Sequence, residues 1–224
     1  MTWLDTQAAG SAGSRTLMPI RAGSRPLLSA AALTLALTFT ATPTFANPQE
    51  ALSAMYPSQQ EVAATAARQD IEYLRRMYGH ATDLIGKNTP EAVAEGLAVY
   101  RRIFTADARI SAHSPSNPPL TAIGPEGWAE VVEKALSVFK ATQHLIGSQL
   151  VTIDSLPEEG DAASGRASMS SHLHAWHHGH DDTLDIFIGI YHDKVRYVPG
   201  TGWQIEQMDL ERISGEIRPP RAQP

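Results

Sequence analysis

The spacing of apolar residues changes once along this chain, near residue 140, and that change limits the folds open to it. From Gln60 to Ile85 apolar side chains recur at helical spacing: Val62, Ala66, Ile71, Leu74, Met77, Tyr78, Ala81, Leu84 and Ile85. Gly86 and Asn88 suit a helix stop. Thr89-Pro90 supplies a cap and a first-turn proline for a second helix running through Phe104. Ala108 to His113 reads as a short strand, and residues 114–119 (SPSNPP) as a loop. Gly124-Pro125 opens a third helix that buries Trp128, Val131, Val132, Ala135, Leu136 and Phe139. Beyond it the period is two. Strands are expected over Thr142–Asp154, Ala163–His178, Thr183–Val195 and Trp203–Arg212, with short turns between them. Short turns imply an antiparallel meander. Helices first and strands afterwards give an α+β domain, with helices on one face of a curved, mainly antiparallel sheet.

Residues 1–46 lie outside that pattern. Met18 onward carries a basic segment with Arg21 and Arg25, an apolar run from Leu27 to about Ala41, and Thr44-Phe45-Ala46. This is the layout of a secretory signal cleaved after Ala46, which implies a periplasmic or secreted protein. The run is short and threonine-rich for a membrane span, which needs about 20 apolar residues, so the membrane is a partner only through an uncleaved signal. Met1–Leu17 shows no periodicity, and Met18 reads as the initiator. Residues 47–59 are expected as a linker, 60–212 as the domain and 213–224 as a frayed tail. Loss of residues 1–46 removes Arg15, Arg21, Arg25 and Asp5 and moves the formal charge from −6 to −8. An acidic surface disfavours nucleic acid as a partner. The sequence has no cysteine, so a disulfide framework, a thiolate metal site and a cysteine nucleophile are excluded.

Thr142–Asp154 (TQHLIGSQLVTID) alternates, with His144, Ile146, Ser148, Leu150 and Thr152 on one face and Gln143, Leu145, Gly147, Gln149, Val151 and Ile153 on the other. Both faces carry apolar residues, which suggests packing on two sides. A histidine there is either a satisfied core residue or a group aimed into a pocket. A second constellation is Ser171–Asp182 (SHLHAWHHGHDD). Alternation puts His172, His174, Trp176 and His178 on one face and Leu173, Ala175 and His177 on the other, without saying which turns inward. His177, His178, His180, Asp181 and Asp182 are metal-ligand types, but adjacent strand residues diverge and no spacing matches a closed site, so no metal is assigned. No phosphate loop, nucleophile elbow or metalloprotease helix occurs.

Four pieces in this order resemble the SnoaL-like branch of the nuclear-transport-factor-two-like superfamily. They are IEYLRRMYGHATD (Ile71–Asp83), FTADARI after the second helix, TQHLIGSQLVTID, and the closing GIYHDKVRYVPGTGWQIEQMDLER. Together they cover most of residues 65–212. The resemblance implies a cone, a bent sheet wrapped over helices with an apolar pocket at its open end. Dehydratase-type members carry an Asp late in the first helix, a His on the strand matching Thr142–Asp154, and a Tyr or Lys five residues before the Asp. Here these are Asp83, His144 and Tyr78.

On that resemblance His144 is the base, Asp83 the partner that fixes its tautomer, and Tyr78 a donor to an oxygen where charge develops. Ile146, Ser148, His172, His174 and Trp176 are the substrate-binding candidates. The implied activity is a cofactor-independent lyase or isomerase acting on a small hydrophobic or aromatic molecule, in a homo-dimer or homo-trimer. Two other readings stay open: a non-catalytic ligand-binding protein on the same scaffold, and a metal-binding envelope protein using the histidine-rich hairpin. At the level of single residues, Asp83 reads equally as an exposed helix-end group, and His144 and Tyr78 as core.

Overall fold

The computed structural model describes Ser53 and residues 56–220, except Ser116 and Glu159; for Asn117 the backbone alone is described. The signal-like segment and most of the linker lie outside those residues. Helix α1 spans Gln59–Ile85 and begins with a capping box. The Glu61 amide donates to Ser58 Oγ at 3.2 Å, and the Ser58 amide donates to Glu61 Oε2 at 2.7 Å. Helix α2 spans Pro90–Ile103, with Thr89 capping the Ala92 amide at 3.3 Å. Strands β1 (Phe104–Ser114) and β2 (Asn117–Ile123) follow, then helix α3 (Gly124–Leu136). Gly124 makes the corner between β2 and α3 at φ +74°. A Cβ there would also lie 2.7 Å from the Ala106 carbonyl oxygen. Strands β3 (Phe139–Ser155), β4 (Arg166–Gly179), β5 (Leu184–Val198) and β6 (Gly202–Arg218) complete the domain.

The six strands form one open sheet in the order β2-β1-β6-β5-β4-β3. The last four make the expected antiparallel meander, while β1 pairs parallel with β6. The fold is α+β, with three helices on one face of a mixed, mostly antiparallel sheet.

Three segments differ from expectation. The third helix stops at Leu136, so that Ala135 is exposed and Phe139 is the first residue of β3 rather than part of the helix. Residues 117–123 are a strand rather than the end of a loop, paired antiparallel with β1 through Arg109↔Ile123 and Ser114↔Asn117. Pro118 and Pro119 are tolerated because β2 is an edge strand, with one side free of ladder bonds. The chain also does not fray at Ile213. Strand β6 continues to Arg218, pairing Ile217 with Asp185 and Arg218 with Leu184, because the first half of β5 needs a neighbour on that side.

Helix α1 lies across the inner face and sets the core. Ile71, Leu74, Tyr78, Ala81 and Ile85 are buried against the strands and against Tyr100, Ile103 and Trp128. Arg75 is buried with them, ion-paired to Asp193 and lying 3.9 Å from the Tyr191 ring centroid and 4.6 Å from that of Tyr78. Periodicity could not announce a cation there. Among the described residues no helix is long and apolar enough to cross a membrane.

Candidate functional site

The carboxylate of Asp83, late in α1, meets the imidazole of His144 on β3. His144 Nδ1 lies 2.7 Å from Asp83 Oδ1, and the His144 amide donates to Oδ2 at 3.1 Å. Thr142 Oγ1 donates to Oδ1 at 3.0 Å. Three donors thus fix one carboxylate, two of them from the residue it orients. The approach depends on Gly79. A Cβ at that position would sit 3.2 Å from the His144 carbonyl oxygen and 3.4 Å from the Ile146 side chain, so α1 and β3 come close because no side chain separates them.

With Nδ1–H given to the carboxylate, Nε2 of His144 keeps its lone pair. Burial is the main influence on this ring and holds its pKa below the ordinary 6.5, while Asp83 acts the other way and His177 adds to the lowering. At neutral pH the ring is therefore an uncharged base with a fixed tautomer. That is the protonation state in which it can accept a proton from carbon or water.

Register assigns the sheet faces. His144 pairs with Ala175 and Thr142 with His177, and in a ladder directly paired residues share a face. The inner face of β4 is therefore Ala167, Met169, Ser171, Leu173, Ala175 and His177, all buried. His172, His174 and Trp176 lie on the opposite, outer face, where His174 stacks on Trp176 with ring centroids 4.2 Å apart. As candidates to line a cavity with His144 these three are corrected. Ile146 shares the His144 face. Ser148 does not: it sits at φ +47° inside the bulge between Gly147 and Leu150 and is exposed. That bulge reverses the alternation, turning Gln149, Val151 and Ile153 inward and leaving Leu150 71% exposed. Leu145 is 54% exposed, so the two-sided packing expected for this strand is absent within one chain.

Tyr78 is buried some way from the pair's bonds. Its hydroxyl accepts from Trp128 Nε1 at 3.2 Å, and its ring stacks on Tyr100 and meets Tyr191 and Phe104 edge-on. Burial raises its pKa, so it stays a neutral phenol. Tyr78, Tyr100, Tyr191 and Arg75 fill the deeper part of the cup with their own side chains. A shallow groove of about 350 Å³ does exist, and three of the substrate-binding candidates, Ile146, His172 and His174, line it together with Leu145, Leu173, Ile188 and Ile213, but neither Asp83 nor His144 does.

One residue beside the pair stands out in the sequence only as a metal-ligand type at the hairpin, not as a neighbour of His144. His177 is buried, its ring centroid 5.4 Å from that of His144 and 4.9 Å from that of Phe139. The signal was present: the alternating apolar set Ala167, Met169, Leu173 and Ala175 marks a buried face that also carries His177.

Other chemistry-bearing groups do not assemble. Among the described residues no group of three or more His, Asp or Glu could hold a metal ion. At the hairpin, His178 Nε2 is 3.4 Å from Asp182, which is already paired with Lys140. Ser111, His113 and Asp209 lie together on the outer face. Both the serine hydroxyl (2.9 Å) and the carboxylate (3.9 Å) approach the same His113 nitrogen, Nε2, so the opposite-nitrogen geometry of a hydrolase triad is missing.

No curated protein matches the chain. Solved structures do. The Kfla4162 protein from Kribbella flavida is 23% identical, with 68% of this chain and 95% of that one covered, at a TM-score of 0.54. A candidate scytalone dehydratase from Novosphingobium aromaticivorans DSM 12444 is 18% identical, covering 72% and 97%, at 0.51. The hexachlorocyclohexane dehydrochlorinase LinA-type3 from Novosphingobium barchaimii LL02 is 12% identical, covering 73% and 99%, at 0.56. At these identities the likeness is one of fold. The SnoaL-like domain family matches residues 63–209, about two thirds of the sequence, and the chain belongs to that family.

Proposed function

We propose that the protein is a cofactor-independent lyase or isomerase that removes a proton from a carbon acid, with His144 as the base. The observation that carries this reading is the 2.7 Å contact between Asp83 and His144 Nδ1, backed by the second carboxylate oxygen on the His144 amide. A carboxylate on one ring nitrogen fixes the tautomer and stabilises the imidazolium that forms when the other nitrogen takes a proton. No metal is needed for such a step. The role of electrophilic donor for Tyr78 rests on the family resemblance alone, since its hydroxyl is buried against Trp128, Thr82 and Tyr191. The substrate is a small, partly hydrophobic molecule. The names of the fold's relatives, a candidate scytalone dehydratase and a hexachlorocyclohexane dehydrochlorinase, are in keeping with eliminations from carbocycles.

The test is exchange of carbon-bound hydrogen, which needs no leaving group. Incubated with an aryl ketone in deuterium oxide, the wild type should wash deuterium into the α-position, and the His144→Ala and Asp83→Asn proteins should not. Full exchange by folded His144→Ala protein would end this reading. A second reading, a non-catalytic carrier of a small ligand, draws on the aromatic filling of the cup by Tyr78, Tyr100 and Tyr191. It predicts ligand retention without exchange. The proposal also includes export, with residues 1–46 as a cleaved signal, checked by N-terminal sequencing of protein recovered from outside the cytoplasm. It further includes a dimer or trimer, checked by light scattering.

A further inference from the structure

Two imidazoles stand side by side on the sheet face turned away from the helices. Across β3, β4 and β5 the register puts Leu145, His174 and Ile188 in one outer row and Gly147, His172 and Ile190 in the next. His172 and His174 are two residues apart on one strand, so their side chains point the same way from Cα atoms about 6.7 Å apart. Both line the groove of about 350 Å³, beside Leu145, Ile188 and Ile213, and no Lys, Arg, Asp or Glu lines it with them. There is room beside His172, because a Cβ at Gly147 would meet nothing within 4 Å. Trp176 holds the His174 ring from its other side, with centroids 4.2 Å apart. Stacking uses the flat face of a ring while the nitrogen lone pairs lie in its plane, so the imidazole is oriented without being occupied. Among the described residues neither imidazole makes a hydrogen bond or an ion pair. Imidazole nitrogen suits zinc, copper and nickel. Tilting of the two rings brings their nitrogens to about 3.3 Å, the separation of two corners of a tetrahedral zinc ion.

We propose that His172 and His174 are half of a zinc-type metal site, completed by the same two residues of a second copy of this chain. A closed zinc site takes four ligands. One chain brings two here, in keeping with the absence of any group of three or more ligands among its described residues. A two-fold contact presents the same patch from both sides, so a second copy supplies the two imidazoles that are missing. The surroundings suit that occupant. Leu145 is 54% and Ile213 52% exposed, an apolar rim that a facing copy takes out of water. With no fixed charge lining the groove, two copies approach face to face without like-charge repulsion. Trp176 separates this pair from His178 and the hairpin, so the hairpin side chains are not ligands of the site.

Zinc alone is the probe, added to the full chain prepared without a histidine tag. Light scattering should show the mass doubling at about one zinc ion per two chains, and EDTA should reverse it. Cobalt(II) in place of zinc should give the visible absorption of a tetrahedral ion. His172→Ala and His174→Ala should each abolish the doubling. Gly147→Leu keeps both imidazoles but fills the space beside them, and should abolish it too. His178→Ala and His180→Ala, at the hairpin, should leave it intact. Near-UV circular dichroism confirms that each variant is folded. If the mass is the same with and without zinc, or if zinc binds one ion per chain with no association, the assignment is overturned. It is equally overturned if the doubling survives His172→Ala and is lost instead in the hairpin variants.

Discussion

Replacing Asp83 by Asn tests the site without any substrate. The carboxylate receives three hydrogen bonds: Thr142 Oγ1 and His144 Nδ1 on Oδ1, and the His144 amide on Oδ2. An asparagine has one accepting oxygen and one donating NH2. If the oxygen faces the ring, the NH2 points at the His144 N–H and that bond is lost. If the NH2 faces the ring, His144 must present a bare Nδ1, and its proton moves to Nε2. A hydrogen bond to a charged group contributes about 1.5 to 3 kcal/mol, and the side chain is only 27% exposed, so screening removes little of it. A loss of about 2 kcal/mol follows, roughly thirtyfold in the folding equilibrium. With a urea slope of about 2 kcal/mol/M for a domain of this size, the midpoint should fall by about 1 M. Long-range proton–nitrogen spectra of the imidazole report the tautomer directly. An Asp83→Asn protein that unfolds at the wild-type midpoint and keeps the proton on Nδ1 would refute the argument.

Four further outcomes are expected. The depressed pKa of His144 means that the unfolded chain binds a proton that the folded one refuses, so its contribution to stability is complete above about pH 6.5 and declines as pH falls through the lower folded value; urea midpoints should drop with acidification, and less steeply in His144→Gln. Arg75→Met leaves Asp193 buried without its partner and should cost about 3 kcal/mol or more, whereas adding Asp193→Leu should recover most of that loss in the same unfolding assay. Gly79→Val forces a side chain between α1 and β3 and should destabilise by about 1 to 3 kcal/mol while abolishing deuterium exchange. Alanine at both His174 and Trp176, on the outer face, should leave exchange unchanged, which checks the assignment of faces.

Much of this domain could be read before any coordinates. Capping at Thr89, the proline-led α2 and α3 and the two-residue period beyond residue 140 are local signals, and they located the elements. The meeting of Asp83 and His144 came instead from likeness to a family. The two residues lie 61 positions apart, and no local rule joins them. What escaped has physical causes too. Alternation assumes an unbroken pleat, and one residue in the left-handed region, Ser148, reversed its phase halfway along β3. Proline on an edge strand costs no ladder bond, so SPSNPP gave no warning of β2. The buried Arg75 owes its place to Asp193, 118 residues later, and a helical pattern has no means of reporting such a partner.

Strand β6 has a consequence for how the polypeptide acquires its shape. It is the last strand to be synthesised, yet it lies between β1 and β5, joining the early half of the sheet to the late half. Until it arrives, the helices with β1 and β2 form one fragment and the β3–β5 meander another, and neither can close the interior. Contacts spanning more than a hundred positions must then form together, which makes for slow, late collapse. A nascent chain whose β6 is still held in the ribosome would therefore emerge without native tertiary structure, in a pliable condition that chaperones can grip.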